Sequence, residues 1–216
     1  MNRFFIFTFL TLLCTVSFAQ QALGRGQDII SPEIHDNNTV TFRLKAPKAV
    51  KVEITGDFLS SQIELKEGKD GVWEYTTPEP LVPELYSYSF IVNGLKITDP
   101  NNVYMIRDVA SVTNVFIISG ERADLYKVNA VPHGTVARRW YNSPTLKKER
   151  RITIYTPPGY ENDGKSYPVF YLLHGMGGDE EAWIALGRTA QILDNLIAQG
   201  KAKPMIVVMT NGNAAQ

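Results

Sequence analysis

Cysteine is nearly missing: the 216 residues hold one, Cys14, inside an N-terminal leader. The rest of the chain therefore has no disulfide, no thiolate metal site and no cysteine nucleophile. Histidine is scarce as well, with His35, His133 and His174 as the full set. Charge of one sign is lacking, with 22 Lys and Arg against 22 Asp and Glu. That balance gives no electrostatic footprint for nucleic acid and points to a neutral partner. Past the leader no apolar run approaches the roughly 20 residues of a membrane span, so the mature chain is expected to stay out of the membrane.

The leader has the parts of a secretory signal: Arg3 as a positive start, an apolar core from Phe4 to Phe18, and Ser17-Phe18-Ala19 as a small-x-small cleavage site. Residues 1–19 are expected to be removed, leaving a secreted or periplasmic protein. Bulky Leu13 before Cys14 argues against lipidation.

From Thr39 onward the hydrophobic pattern has period two. Val40, Phe42 and Leu44 alternate with polar neighbours, as do Val52 and Ile54, then Trp73 and Tyr75, then Tyr86, Tyr88 and Phe90. Gly56-Asp57, Asn93-Gly94 and Asp99-Pro100-Asn101 punctuate them. A last strand is expected over Asn114–Ile118. Short strands at this spacing predict a β-sandwich over residues 22–120.

The run Val40-Thr41-Phe42-Arg43-Leu44-Lys45-Ala46-Pro47, with Gly71-Val72-Trp73-Glu74-Tyr75 and Tyr86-Ser87-Tyr88-Ser89-Phe90-Ile91-Val92-Asn93-Gly94, resembles the immunoglobulin-like modules of the glycogen-binding and isoamylase N-terminal type. Members of that family bind glucans or pack against a catalytic partner. The resemblance makes Trp73 and Tyr75 candidates for stacking on sugar rings, although an alternating aromatic in a sandwich strand is more often core.

Residues 121–133 have no clean period and read as a linker, with His133 as an exposed linker residue. Residues 134–216 follow a different plan. Strands are expected from Gly134 to Ser143 and from Arg151 to Thr156, the second stopped by Pro157-Pro158-Gly159. Val169–Leu173 has the apolar, β-branched and aromatic content of a strand buried on both faces in mid-sheet. It runs into His174-Gly175-Met176-Gly177-Gly178, where the glycines let bare N–H groups approach a ligand. Asp179, Glu180 and Glu181 are expected to be a solvated first helical turn, since adjacent carboxylates point apart. Ile192, Leu193, Leu196 and Ile197 form an apolar helix face, and Pro204–Met209 is a further buried strand. Strand, glycine loop, helix, strand is one crossover of a parallel sheet.

Arg151-Ile152-Thr153-Ile154-Tyr155-Thr156-Pro157-Pro158-Gly159-Tyr160, Tyr167 to Gly178, Trp183, and Pro204 to Met209 together resemble the esterases of carbohydrate esterase family 1. That family holds the feruloyl and acetylxylan esterases and the similar enterochelin esterases. The resemblance implies an α/β-hydrolase domain, incomplete here, after the immunoglobulin-like β-sandwich. It makes the Met176 N–H an oxyanion donor on a loop that includes Gly175. It implies a serine esterase acting on feruloyl or acetyl esters of plant cell-wall polysaccharide or oligosaccharide, with no cofactor. The alternatives are a siderophore esterase of the same fold, and a non-catalytic carbohydrate-binding protein. The family's Gly-x-Ser-x-Gly elbow is missing: Ser166 has Gly164 before it but Pro168 after it, and no serine or histidine follows Met176. The triad is thus expected beyond Gln216, these residues alone are expected to be inactive, and His174 is expected to brace the glycine loop by hydrogen bonding.

Overall fold

The structure, a computed structural model, describes residues 29–108 and 111–213. The secretory leader expected over residues 1–19 lies outside the described residues. The first unit contains β1 (Glu33–Ile34), β2 (Val40–Lys45), β3 (Val52–Gly56), β4 (Ile63–Glu64), β5 (Lys66–Glu67), β6 (Val72–Thr76), β7 (Leu85–Val92), β8 (Leu95–Ile97), β9 (Met105–Asp108) and β10 (Ser111–Ile117). One sheet has the order β1-β2-β6-β5; the other runs β4-β3-β7-β10-β9, with β8 also on β7. Period-two alternation turns Val40, Phe42, Leu44 and Trp73 of the first sheet toward Val52, Ile54, Tyr86, Tyr88, Phe90 and Phe116 of the second, in one buried cluster. The Phe42 ring centroid lies 4.8 Å from that of Tyr88 and 5.5 Å from that of Phe116, both edge-on, the preferred geometry for such pairs. Asn93 (φ 48°) and Gly94 (φ 88°) close the β7–β8 hairpin, as an Asn-Gly turn predicts. The expected strands form; β1, β4, β5, β8 and β9 are too short or too irregular to leave a period in the sequence.

The connecting residues open on a 3-10 turn, Glu121–Tyr126. Then come β11 (Thr135–Ser143), β12 (Lys148–Thr156), α1 (Tyr160–Asp163), β13 (Val169–Tyr171), α2 (Ala182–Ala185), α3 (Thr189–Ala198) and β14 (Ile206–Thr210). They form a mixed sheet of order β11-β12-β14-β13 in which β13 and β14 are parallel, as the crossover predicts, and the other pairs antiparallel. Tyr155, Val207 and Met209 make its buried centre, with Val136, Leu172, Ile184 and Leu193 against them.

One expectation is corrected. Among the described residues β13 stands at the sheet's edge rather than in mid-sheet, and Val169, Phe170 and Tyr171 are 48%, 49% and 65% exposed. An apolar run records what a strand is suited to be covered by, and the described residues supply a partner on one side of β13 only.

The linker is also more firmly held than its composition suggests, because the buried positions of α3 are Thr189, Asp194 and Asn195. The Asn195 side-chain amide donates to the carbonyls of Leu125 (2.9 Å) and Lys127 (2.9 Å), and its oxygen accepts from Asn129 (3.0 Å). Asp194 accepts from the Tyr155 hydroxyl (2.7 Å), the Gly134 N–H (2.9 Å) and His133 Nδ1 (3.0 Å). His133 is exposed, as expected, and is also half of a pin between linker and helix. Gly134 is required here, since a Cβ would fall 2.3 Å from the Thr156 carbonyl oxygen and 2.5 Å from the Tyr155 ring.

Candidate active site

The glycine loop leaves β13 at the carboxyl end of the parallel pair, where open α/β sheets bind ligands. Leu172 still donates to the Val208 carbonyl (3.0 Å), so the loop starts from a fixed rung. Gly178 then donates to the Gly175 carbonyl (3.1 Å), closing a turn whose third residue, Gly177, has φ 82°. That is the type II requirement, met at no steric cost by glycine. Met176 takes the second position. Its side chain is fully exposed, and among the described residues its N–H makes no hydrogen bond.

His174 sets the loop against its neighbour. Its Nδ1–H donates to the Gly175 carbonyl (2.6 Å), and its Nε2 accepts from the Gly212 N–H (2.8 Å). A carbonyl only accepts and an amide N–H only donates, so this pair of contacts fixes the neutral Nδ1–H tautomer. Asn213 adds a bond from its side-chain amide to the Gly178 carbonyl (2.7 Å), and Arg150 holds the same segment by donating to the Asn213 carbonyl (2.7 Å). The Trp183 indole N–H donates to the Leu173 carbonyl (2.8 Å). Together they bound an open concavity of about 330 Å³ lined by His174, Gly175, Met176, Gly177, Gly212 and Asn213. Such a loop can offer one backbone donor to a developing oxyanion; among the described residues no serine lines it, and both ring nitrogens of its histidine, His174, are already bonded.

The acidic triplet behind the loop differs from the sequence expectation. α2 begins only at Ala182, and Glu180 is 3% exposed. Glu180 Oε1 accepts from Arg151 Nε at 2.5 Å, Asp179 pairs with Arg107 of the sandwich, and Glu181 accepts from Arg138 and from the Thr153 hydroxyl (2.7 Å). Burial pushes the Glu181 carboxyl up, but the hydrogen bonds from Arg138 and Thr153 and the charges of Arg138 and Arg151 outweigh it and hold it below the usual carboxylate range. The triplet is an internal clamp because β11 and β12 present two arginines and a threonine to it and β9 a third arginine, a cross-strand arrangement that local spacing does not reveal.

The sandwich candidates lie apart from this loop. Trp73 is 5% exposed inside the sandwich core, and its indole N–H donates to the Ala46 carbonyl (3.1 Å), so neither ring face is open for stacking. Tyr75 shares that strand face but is only partly buried, beside a surface concavity of about 650 Å³ that Arg43, Glu64, Lys66 and Glu74 also line.

Two families match separate stretches of the chain: carbohydrate-binding module 48 (isoamylase N-terminal domain) over residues 30–105, and "Putative esterase" over residues 143–216. An endo-1,4-beta-xylanase/feruloyl esterase of Xylanibacter ruminicola is 31% identical over 187 residues, which is 84% of this chain and 26% of that protein. An esterase of Mycobacterium tuberculosis is 31% identical over 137 residues, 61% of this chain and 26% of its own. The chain thus spans about a quarter of the length of these curated relatives. A crystal structure of the enterobactin esterase of Shigella flexneri superposes with a TM-score of 0.60 at 18% identity, covering 84% of this chain and 55% of that one. At that identity the likeness speaks for the fold alone.

Proposed function

We propose, for a chain that joins a carbohydrate-binding module 48 to part of a feruloyl-esterase-like domain, that the complete protein is a serine esterase removing feruloyl or acetyl groups from plant cell-wall polysaccharide. The observation that carries this reading is the braced loop His174–Gly178 at the carboxyl end of β13, with the Met176 N–H left free. In an ester cleavage the serine oxygen adds to the acyl carbon, and the carbonyl oxygen gains the negative charge. The Met176 N–H and a second donor after the nucleophile would hold that charge, and one such donor is typically worth about 10²- to 10³-fold in rate. Gly177, at φ 82°, lets the loop make its turn, and His174 holds it in place. The serine, its acid and its histidine belong to sequence that these 216 residues do not include.

Two further observations support the substrate class. The esterase region is similar to a relative named for xylanase and feruloyl esterase activity, and a module matched to a carbohydrate-binding family precedes it. The leader pattern over residues 1–19 would carry the protein out of the cytoplasm to its polymer.

The test is to sequence the reading frame past Gln216 and assay the complete product on methyl ferulate, acetylated xylan and an enterobactin-type trilactone in parallel. An elbow serine with turnover of either of the first two supports the reading. Turnover of the trilactone alone would move the assignment to siderophore release, and binding to xylan without any turnover would leave a carbohydrate-binding protein.

A further inference from the structure

The register of β11, β12 and β14 builds a second recess beside the glycine loop. Trp140 of β11 pairs with Arg151 of β12, and Ile152 next to it pairs with Thr210, the last residue of β14. Trp140, Arg151 and Asn211 therefore lie in one row across the sheet, at the same end as the glycine loop. They line a concavity of about 290 Å³ with Glu149, Asp179 and Glu180. Its neighbour, the concavity at Met176, is lined by Gly212 and Asn213, so one short segment separates the two.

Three features of the recess point to a ligand. Trp140 is 68% exposed, an unusual position for an indole. The ring is nonetheless fixed: the Arg151 guanidinium carbon sits 5.8 Å from its centroid, and the buried Glu180 carboxylate anchors that guanidinium through Oε1. A preorganised aromatic face loses little entropy when a partner stacks on it. The third feature is Glu180 Oε2, a buried carboxylate oxygen with no hydrogen-bond partner. An unsatisfied buried acceptor is costly, and a hydroxyl donor or a water reached through a small rearrangement would recover that cost.

The charges identify the class. Glu149, Asp179 and Glu180 face Arg150, Arg151 and the Arg107 that pairs with Asp179, so no net field selects an ion. A flat aromatic face ringed by carboxylates, guanidinium groups and an amide suits a pyranose, whose C–H face is apolar and whose hydroxyls both donate and accept. We propose that the Trp140–Arg151–Asn211 row is a subsite for the neutral sugar backbone of the polysaccharide, placed to hold the chain while its ester lies on the glycine loop. The proposal deepens the esterase reading and rests on it for the identity of the polymer.

The complete protein, labelled with 5-fluorotryptophan, is titrated with unesterified xylohexaose and followed by ¹⁹F NMR, with the Trp140 resonance assigned from its loss in Trp140→Phe. The expected result is a saturable movement of that resonance, with the core Trp73 resonance unchanged. Trp140→Ala, at an exposed site and checked for intact folding by circular dichroism, is expected to weaken binding at this site about tenfold, read from amide shifts of Asn211. A Trp140 resonance that stays fixed at millimolar ligand overturns the subsite, whatever the module does. Because the ligand carries no ester, movement without turnover on methyl ferulate or acetylated xylan would refute the esterase reading and keep the subsite, and turnover without movement would do the reverse.

Discussion

Replacing Asp194 by alanine takes one acceptor from three donors at the joint between linker, β12 and α3. Asp194 is 4% exposed and Tyr155 is fully buried, so water does not replace the lost bond to the phenol. The Tyr155 hydroxyl and the Gly134 N–H, at 2.7 and 2.9 Å in the parent, become orphans. Each orphan costs about 1–3 kcal/mol. The His133 contact adds little, since that ring is 48% exposed. Alanine returns up to about 0.7 kcal/mol in helix propensity. The net expectation is a loss of about 2–5 kcal/mol, read as a lower urea midpoint with unchanged slope. Removing the second partner should then help: Tyr155→Phe in the Asp194→Ala background is expected to recover about 1–3 kcal/mol, because an apolar ring needs no acceptor. A loss below about 1 kcal/mol for Asp194→Ala, or a double variant less stable than the single one, would refute the hydrogen-bond account of this joint.

Three more outcomes follow from the same structure. Glu181 has its carboxyl held below the usual range by Arg138, Thr153 and Arg151 against the opposing effect of burial, so it contributes stability above the ordinary glutamate value and loses it as pH falls through the lower folded value. Glu181→Gln should therefore cost stability at neutral pH, with the difference from the parent narrowing as pH drops below about 4.3 in parallel denaturation series. Trp73→Ala should destabilise the sandwich by about 3–5 kcal/mol in urea unfolding, as a core residue does, whereas a mere sugar platform would cost almost nothing. His174→Ala removes the acceptor for the Gly212 N–H and should speed hydrogen exchange at that amide roughly tenfold, the equivalent of one net hydrogen bond.

Much of the fold is legible in the residues because it rests on period. Val40, Phe42 and Leu44 alternate, and they face the core; Asn93-Gly94 asks for positive φ, and it closes a hairpin. The crossover between β13 and β14 follows from a strand, a glycine loop and a helix in sequence order. What the sequence hides are contacts made across strands and between units. The acidic triplet reads as a solvated helix start until the register of β11 and β12 brings Arg138 and Arg151 over it. Polar residues at the buried positions of α3 carry no hydrophobic signal, yet they tie down the linker. In the same way, Trp140 reads as one more strand aromatic until its exposure and its stacked arginine are known.

The central claim is that the glycine loop presents the Met176 N–H to the oxyanion of an ester substrate. It is tested most directly on the complete protein, ¹⁵N-labelled and inactivated with a phosphonate ester whose adduct mimics the tetrahedral intermediate. The account predicts that the Met176 amide proton moves strongly downfield on adduct formation while the Gly212 amide, already bonded to His174, moves little. An adduct that forms with the Met176 amide unmoved would place the oxyanion elsewhere and contradict the assignment.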